Sequence, residues 1–182
     1  GGVGVILIDR PPVNAIDVSV RAGIQAGLDK AQADPAVKVV LIACGGRTFL
    51  SGADLNELGS AIEEPNYYDT LNRLEAFSKP TVAVLHGTAL GGGLETALAC
   101  HYRCAVADAR MGFPEITLGI VPGAGGTQRM PRLIGARATL EMMIEGAPID
   151  AAKAKVLGVI DEVVAGPPLE GGLAYAQGLA DA

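Results

Sequence analysis

The sequence predicts a single α/β domain, and three observations support this class. Short apolar stretches typical of strands alternate with stretches whose apolar residues recur at helical spacing. Glycine-rich turns separate several of these stretches, and no internal repeat of fixed period is visible. A chain of 182 residues, 49% of them apolar, is long enough to bury its own core. We therefore expect one domain across residues 1–182.

The predicted strands are short and apolar. Residues 3–9 alternate apolar and small side chains, and the proline pair at 11–12 ends this strand. Residues 37–44 form a continuous run rich in β-branched side chains, which indicates a strand buried on both faces. Three further strands are predicted at residues 81–86, 102–107 and 159–164.

The predicted helices fall between these strands. Residues 18–33 carry Val20, Ile24, Leu28 and Ala31 at helical spacing. Ser51 and Asp54 have the spacing of a capping box, so we expect a helix to begin at residues 51–54. Further helices are predicted at residues 67–78, 94–100, 140–146 and 150–157. One more is expected to begin near residue 127, and another lies in the last stretch of the chain.

Composition excludes several classes of function. The formal net charge is −6 without a block of like charges, which argues against a general nucleic-acid surface. No apolar run approaches the roughly 20 residues of a membrane span, and no signal peptide is recognisable, so no membrane partner is expected. We interpret the three cysteines as reduced core residues of a cytoplasmic protein, and we expect no metal site.

A run of three glycines, Gly91 to Gly93, lies between a predicted strand and a predicted helix. The chain lacks the Gly-Lys-Ser/Thr of a P-loop, the dinucleotide-binding pattern and the Gly-x-Ser-x-Gly of a nucleophile elbow. A helix start has unpaired N–H groups, and glycine lets a ligand approach them closely. The run therefore fits a tight packing turn or a site for a phosphate or a developing oxyanion.

Two carboxylates stand in apolar surroundings. Glu95 lies in the first turn of a predicted helix that carries no other charge up to Cys100, so it is expected to be either paired or functional. Glu115 lies between Pro114 and Ile116 and alone would be read as a capping or surface residue. If the two converge on one cleft, their repulsion raises one pKa and creates an acid–base couple.

Five stretches together resemble the enoyl-CoA hydratase/isomerase (crotonase) superfamily. The likeness is greatest to the N-terminal hydratase/isomerase part of multifunctional β-oxidation enzymes, which continue into a 3-hydroxyacyl-CoA dehydrogenase. The stretches are Pro12-Val13-Asn14-Ala15-Ile16, Ser51-Gly52-Ala53-Asp54, Ala89-Leu90-Gly91-Gly92-Gly93-Leu94-Glu95, Phe113-Pro114-Glu115 and Pro122-Gly123-Ala124-Gly125-Gly126-Thr127-Gln128-Arg129.

The resemblance implies a crotonase-like spiral of ββα units and a specific set of roles. The backbone N–H groups of Ala53 and Gly92 would hold the thioester oxygen of an acyl-CoA. Glu95 and Glu115 would hold the attacking water and exchange protons with it and with the α-carbon. The implied activity is enoyl-CoA hydration in fatty-acid β-oxidation, with Δ3,Δ2-enoyl-CoA isomerisation as a second activity for which Glu115 resembles the base.

The resemblance also marks residues along the coenzyme A path and around the acyl group. They are Val13, Ala15, Ser51, Asp54, Leu55, Gly91 and Pro114. Asp54 is interpreted mainly as the helix-capping residue that fixes the Ala53 amide. His86 and His101 match no catalytic position and are expected to be structural. No cofactor is expected, because coenzyme A is part of the substrate.

The resemblance implies that this sequence lacks the C-terminal helices that cover the acyl site or build the trimer in this family. We therefore expect an excised piece of a longer multidomain chain, completed by later domains or by a homo-oligomer. Two other functions stay open. One is a catalytically silent acyl-CoA-binding or interaction module, which would not need both glutamates. The other, a nucleotide-binding domain, is disfavoured by the absent Lys-Ser/Thr.

Overall fold

The computed structural model describes residues 1–54 and 64–182 and contains two sheets. The strands are β1 (Val3–Ile8), β2 (Val39–Cys44), β3 (Thr81–Leu85), β4 (Thr88–Leu90), β5 (Tyr102–Val106), β6 (Arg110–Gly112), β7 (Ile149–Asp150) and β8 (Glu162–Val164). A five-stranded parallel sheet has the order β1-β2-β3-β5-β8, and a three-stranded sheet has the order β4-β6-β7. In the smaller sheet β4 and β6 are parallel, and β7 is antiparallel to β6.

Helices cover both faces of the larger sheet. They are α1 (Val18–Ala33), α2 (Tyr67–Glu75), α3 (Gly92–Ala99), α4 (Gly126–Ile134), α5 (Ala136–Glu145), α6 (Ala151–Leu157) and α7 (Pro168–Asp181), and a 3₁₀ helix spans Pro114–Leu118. Alternate residues of β2 belong to different cores, because successive side chains of a strand point to opposite faces. Val40 and Ile42 pack with α1 and α3, whereas Val39 and Leu41 pack against α7.

The predicted α/β class is confirmed, and most elements lie where the sequence placed them. Helix α1 has the predicted bounds, and β1, β3 and β5 differ from prediction by one residue at the end. Helix α2 ends at Glu75 rather than at residue 78, and β8 is only three residues long. The helix expected to begin at residues 51–54 would continue into residues 55–63, which lie outside the described part. Within that part, no helix is both long and apolar enough to cross a membrane.

The second sheet and the 3₁₀ helix were not predicted. Strands β4 and β6 have only three residues each, too few for a period-2 pattern to stand out. They matter for the site, because the Gly91 N–H donates to the Gly112 carbonyl at 3.0 Å where both strands end. This bond places the start of α3 beside the 3₁₀ helix.

A buried arginine holds the other end of α3. The Arg103 side chain is 5% exposed, and its guanidinium donates to the carbonyl oxygens of Cys100 at 2.7 Å and Val159 at 2.9 Å. A cation at a helix C-terminus complements the partial negative charge of the unpaired carbonyls there. Arg103 therefore fixes the helix that carries Glu95.

Candidate active site

The backbone around Ala53 is held so that the Ala53 N–H points away from Ile16. Ile16 forms an isolated parallel bridge with Ala53. The Ile16 N–H donates to the Gly52 carbonyl at 2.9 Å, and the Asp54 N–H donates to the Ile16 carbonyl at 3.0 Å. Because polar backbone groups alternate in direction along an extended strand, the N–H of Ala53 points to the side opposite Ile16.

The first N–H of α3 is the second donor. The Gly91 carbonyl accepts from the Glu95 N–H at 2.9 Å, so the Gly91–Gly92 peptide directs its own N–H out of the helix start. A Cβ atom built on Gly92 would lie 3.1 Å from the Ala53 nitrogen, so the two amides adjoin. Within residues 1–54 and 64–182, neither N–H has a protein acceptor. Two adjacent free donors can bind a single oxyanion.

Glu95 is buried in the first turn of α3 and is only 2% exposed. Its Oε1 accepts two backbone hydrogen bonds, from the Ala124 N–H at 2.8 Å and the Gly126 N–H at 2.7 Å. Burial raises the pKa of Glu95 to about 7, a rise that the Gly126 bond opposes and the charge of Glu115 reinforces. This carboxyl can therefore exchange a proton near neutral pH.

Glu115 lies in the 3₁₀ helix and is 8% exposed. Its Oε2 is buried and has no hydrogen-bond partner among the described residues. Burial raises the pKa of this carboxyl as well. A bare buried carboxyl oxygen is costly unless the group is protonated or meets a ligand, so Glu115 is suited to hold a proton or a water.

The four predicted catalytic groups surround the Gly91–Gly92 peptide. A Cβ atom on Gly91 would lie 2.8 Å from Glu115 Oε1, and Gly91 adopts a φ of +51°, which favours glycine. Glu115 is also close enough to Glu95 for its charge to raise the pKa of that carboxyl. Two titratable carboxyls and two free amides therefore meet in one region, although they come from three separate segments of the chain.

The predicted lining residues that the structure describes lie near this region. Val13 and Ala15 are partly exposed on the segment that leads into the Ile16 bridge, and Ser51 is partly exposed before Gly52. Pro114 is the first residue of the 3₁₀ helix. Leu55 lies outside the described residues.

Asp54 forms an ion pair with Arg10 at 3.1 Å, and Arg10 also pairs with Asp17 at 2.7 Å. The helix that Asp54 was expected to cap would fall within residues 55–63, outside the described part. The ion pair nevertheless ties the residue after Ala53 to the segment that leads into the Ile16 bridge.

Sequence reasoning missed three supporting features. Asn14 is buried at a φ of +52°, and its amide donates to the Thr48 carbonyl at 2.9 Å and the Gly45 carbonyl at 3.0 Å. It thereby fixes the loop that leads to Ala53, and its place in a family motif was the available signal. The amides that hold Glu95 lie in the glycine-rich loop that was noted without a role. Tyr67, which contacts Gly92, gave no signal beyond its helix.

The histidines and cysteines lie apart from this chemistry. His101 Nδ1 lies 3.0 Å from the Thr81 backbone nitrogen and serves a structural contact, and His86 is buried. All three cysteines are free and buried. In the ranges 1–54 and 64–182, no group of three or more His, Cys, Asp or Glu residues is placed to hold a metal ion.

Comparisons with known proteins show what the chain is similar to. The chain is 43% identical over 178 residues to the peroxisomal bifunctional enzyme of Cavia porcellus, covering 96% of this chain and 24% of that protein. It is 40% identical over 178 residues to the Arabidopsis thaliana peroxisomal fatty acid beta-oxidation multifunctional protein MFP2, with coverages of 93% and 24%. The chain thus spans about a quarter of the length of these two relatives.

A solved structure of enoyl-CoA hydratase from Bacillus anthracis superposes with a TM-score of 0.84 at 34% identity, over 98% of this chain and 72% of that one. This likeness confirms the predicted crotonase-like fold. Residues 1–179 match the family described as enoyl-CoA hydratase/isomerase. The chain therefore belongs to the enoyl-CoA hydratase/isomerase family.

Proposed function

We propose that this protein adds water across the 2,3 double bond of an acyl-CoA thioester. The observation that carries the proposal is the meeting of two buried carboxyls, Glu95 and Glu115, with the adjacent free N–H groups of Ala53 and Gly92. Hydration of a conjugated thioester needs a base for the water, an acid for the α-carbon and donors for the carbonyl oxygen. The site supplies each of these groups.

The different hydrogen bonds of the two carboxyls suit them to different roles. Above its pKa of about 7 Glu95 is ionised, with two amide donors on Oε1, and the bare Oε2 of Glu115 then carries the proton that the pair shares. Glu95 therefore takes a proton from water as the water oxygen bonds to the β-carbon. The π electrons move to the thioester oxygen, where the Ala53 and Gly92 amides stabilise the negative charge. When the enolate collapses, the α-carbon takes the proton of Glu115.

Isomerisation is the second activity that the site supports. When the shared proton lies on Glu95, the ionised Glu115 removes a proton from one carbon and returns it two carbons away, while the same amides stabilise the intermediate enolate. This role requires a carboxyl whose oxygen has no competing protein partner, and Oε2 of Glu115 meets that requirement among the described residues. A 3-enoyl-CoA substrate, followed by the appearance of the conjugated product, measures this activity.

We expect the protein to consume crotonyl-CoA, seen as loss of the ultraviolet absorbance of the conjugated thioester. Glu95→Gln removes the base and should lower kcat by about 10²–10⁴-fold. Glu141→Gln is the matched control, because Glu141 is exposed on α5 and pairs only with Arg137 among the described residues. Calorimetric binding of acyl-CoA without turnover by the unmodified protein would instead support the silent binding module.

Several features stay predictions. They are the extent of the domain over residues 1–182, the lack of a cofactor and the cytoplasmic location. Completion of the site by later domains or by a homo-oligomer is a further proposal, supported by the greater length of the multifunctional relatives. The relatives named peroxisomal give no support to the cytoplasmic location.

A further inference from the structure

A tyrosine outside the predicted site contacts the first turn of α3. Tyr67 is the first residue of α2, and its hydroxyl donates to the Gly92 carbonyl. The same hydroxyl lies 2.8 Å from the Thr96 hydroxyl, which itself donates to the Gly92 carbonyl at 2.9 Å. Two side-chain hydroxyls therefore converge on the carbonyl of Gly92, the residue whose N–H is proposed to bind the thioester oxygen.

The contact is close, and Tyr67 is partly buried against the core. A Cβ atom on Gly92 would lie 3.0 Å from the Tyr67 hydroxyl oxygen and 3.4 Å from its Cε1, so the ring edge rests on the glycine. Burial raises the pKa of the Tyr67 phenol, which keeps it neutral and able to donate. Tyr67 is partly buried against the core and its hydroxyl donates to a backbone carbonyl, so it forms a defined contact, unlike a solvated tyrosine at the surface.

Gly92 needs such a contact more than an ordinary helical residue does. It stands in a run of three glycines, which have the widest conformational freedom of all residues. The peptide before Gly92 is fixed by the bond between the Gly91 carbonyl and the Glu95 N–H, at 2.9 Å. Tyr67 and Thr96 fix the peptide after it. Together these bonds restrain both peptides that flank Gly92, the first of which carries the Gly92 N–H.

We propose that Tyr67 is a positioning residue that aims the Gly92 N–H at the thioester oxygen. The assignment rests on the proposed hydratase function. Tyr67 acts through Gly92 and touches no reacting atom. Small displacements of an oxyanion donor weaken transition-state stabilisation far more than substrate binding, because the charge develops only during the reaction.

The test is Tyr67→Phe, with Tyr68→Phe as the matched control, since Tyr68 is the next residue and is 58% exposed. We expect Tyr67→Phe to lower kcat by about tenfold to a hundredfold while KM changes less than about twofold. The absorbance of a bound, conjugated enoyl-CoA should also show a smaller red shift, because its carbonyl is less polarised. Tyr68→Phe should match the unmodified protein in both measurements.

Thr96→Val provides a second variant that does not depend on tolerance of Tyr67→Phe. It should reduce kcat and the red shift in the same direction, and the double variant should be less than additive because both hydroxyls act on one carbonyl. Unchanged kcat and red shift in both single variants, with an active parent, would overturn the positioning role of Tyr67 but leave the proposed function intact. A parent that neither turns over nor polarises the thioester would overturn the proposed function itself.

Discussion

Glu95 combines two opposing influences on one side chain. Burial at 2% exposure disfavours its charge, whereas two amide donors on Oε1 favour it. Burial prevails, and the pKa of Glu95 rises to about 7. A carboxyl with a pKa near 7 exchanges protons efficiently near neutral pH. Its ionised form, however, is less stable in the folded protein than in the unfolded chain.

We therefore expect Glu95→Gln to stabilise the protein at alkaline pH. The unfolded carboxyl ionises near 4.5 and the folded one near 7, so the penalty grows as pH rises between these values and is complete above 7. The amide oxygen of glutamine can still accept from Ala124 and Gly126. Urea unfolding should show a gain of about 1–3 kcal/mol at pH 8 and little of it at pH 5. Equal stability of the two proteins at both pH values would contradict the claim that burial destabilises the Glu95 carboxylate.

At the scale of elements, the start of α3 depends on close backbone contact. A Cβ atom on Gly93 would lie 1.9 Å from the Leu50 carbonyl oxygen, well inside any allowed separation. This contact holds α3 against the segment that ends in Ala53, so the triple glycine serves packing at Gly93. The packing interpretation that the sequence left open therefore applies at Gly93, and the oxyanion interpretation stays a prediction at Gly92.

Gly93→Ala should therefore prevent folding or lower stability by more than about 4 kcal/mol, because the clash is with backbone rather than with a flexible side chain. Gly23→Ala is the control, since a Cβ atom at that exposed position of α1 meets nothing within 4 Å. It should stabilise the protein by about 0.5–1 kcal/mol. Thermal unfolding followed by circular dichroism distinguishes the two variants. A Gly93→Ala protein that unfolds cooperatively and with normal stability would contradict this packing.

The sequence predicted elements whose pattern is local. The 16 residues of α1 show their apolar spacing directly, and the continuous apolar run of β2 indicated burial on both faces. Strands β4 and β6 and the 3₁₀ helix escaped prediction because their few residues are fixed by tertiary bonds, such as that from Gly91 to the Gly112 carbonyl.

At the scale of the whole molecule, the site exists only through the fold. Motifs identified Glu95, Glu115, Ala53 and Gly92, but their meeting depends on the Ile16 bridge and on the junction of β4 with β6. Tyr67 and the amides of Ala124 and Gly126 could not be predicted, because their partners lie at least 25 positions away in sequence. Local motifs identified the candidate residues, whereas the direction in which each donor points could not be predicted from the motifs.

The most direct test of this account is a crystal structure of the protein with a bound, unreactive acyl-CoA analogue. We predict that the thioester oxygen will lie about 2.7–3.1 Å from the backbone nitrogens of both Ala53 and Gly92. The carboxyls of Glu95 and Glu115 should face the carbons next to that carbonyl. A thioester bound elsewhere, or carboxyls directed at different ligand groups, would contradict the account.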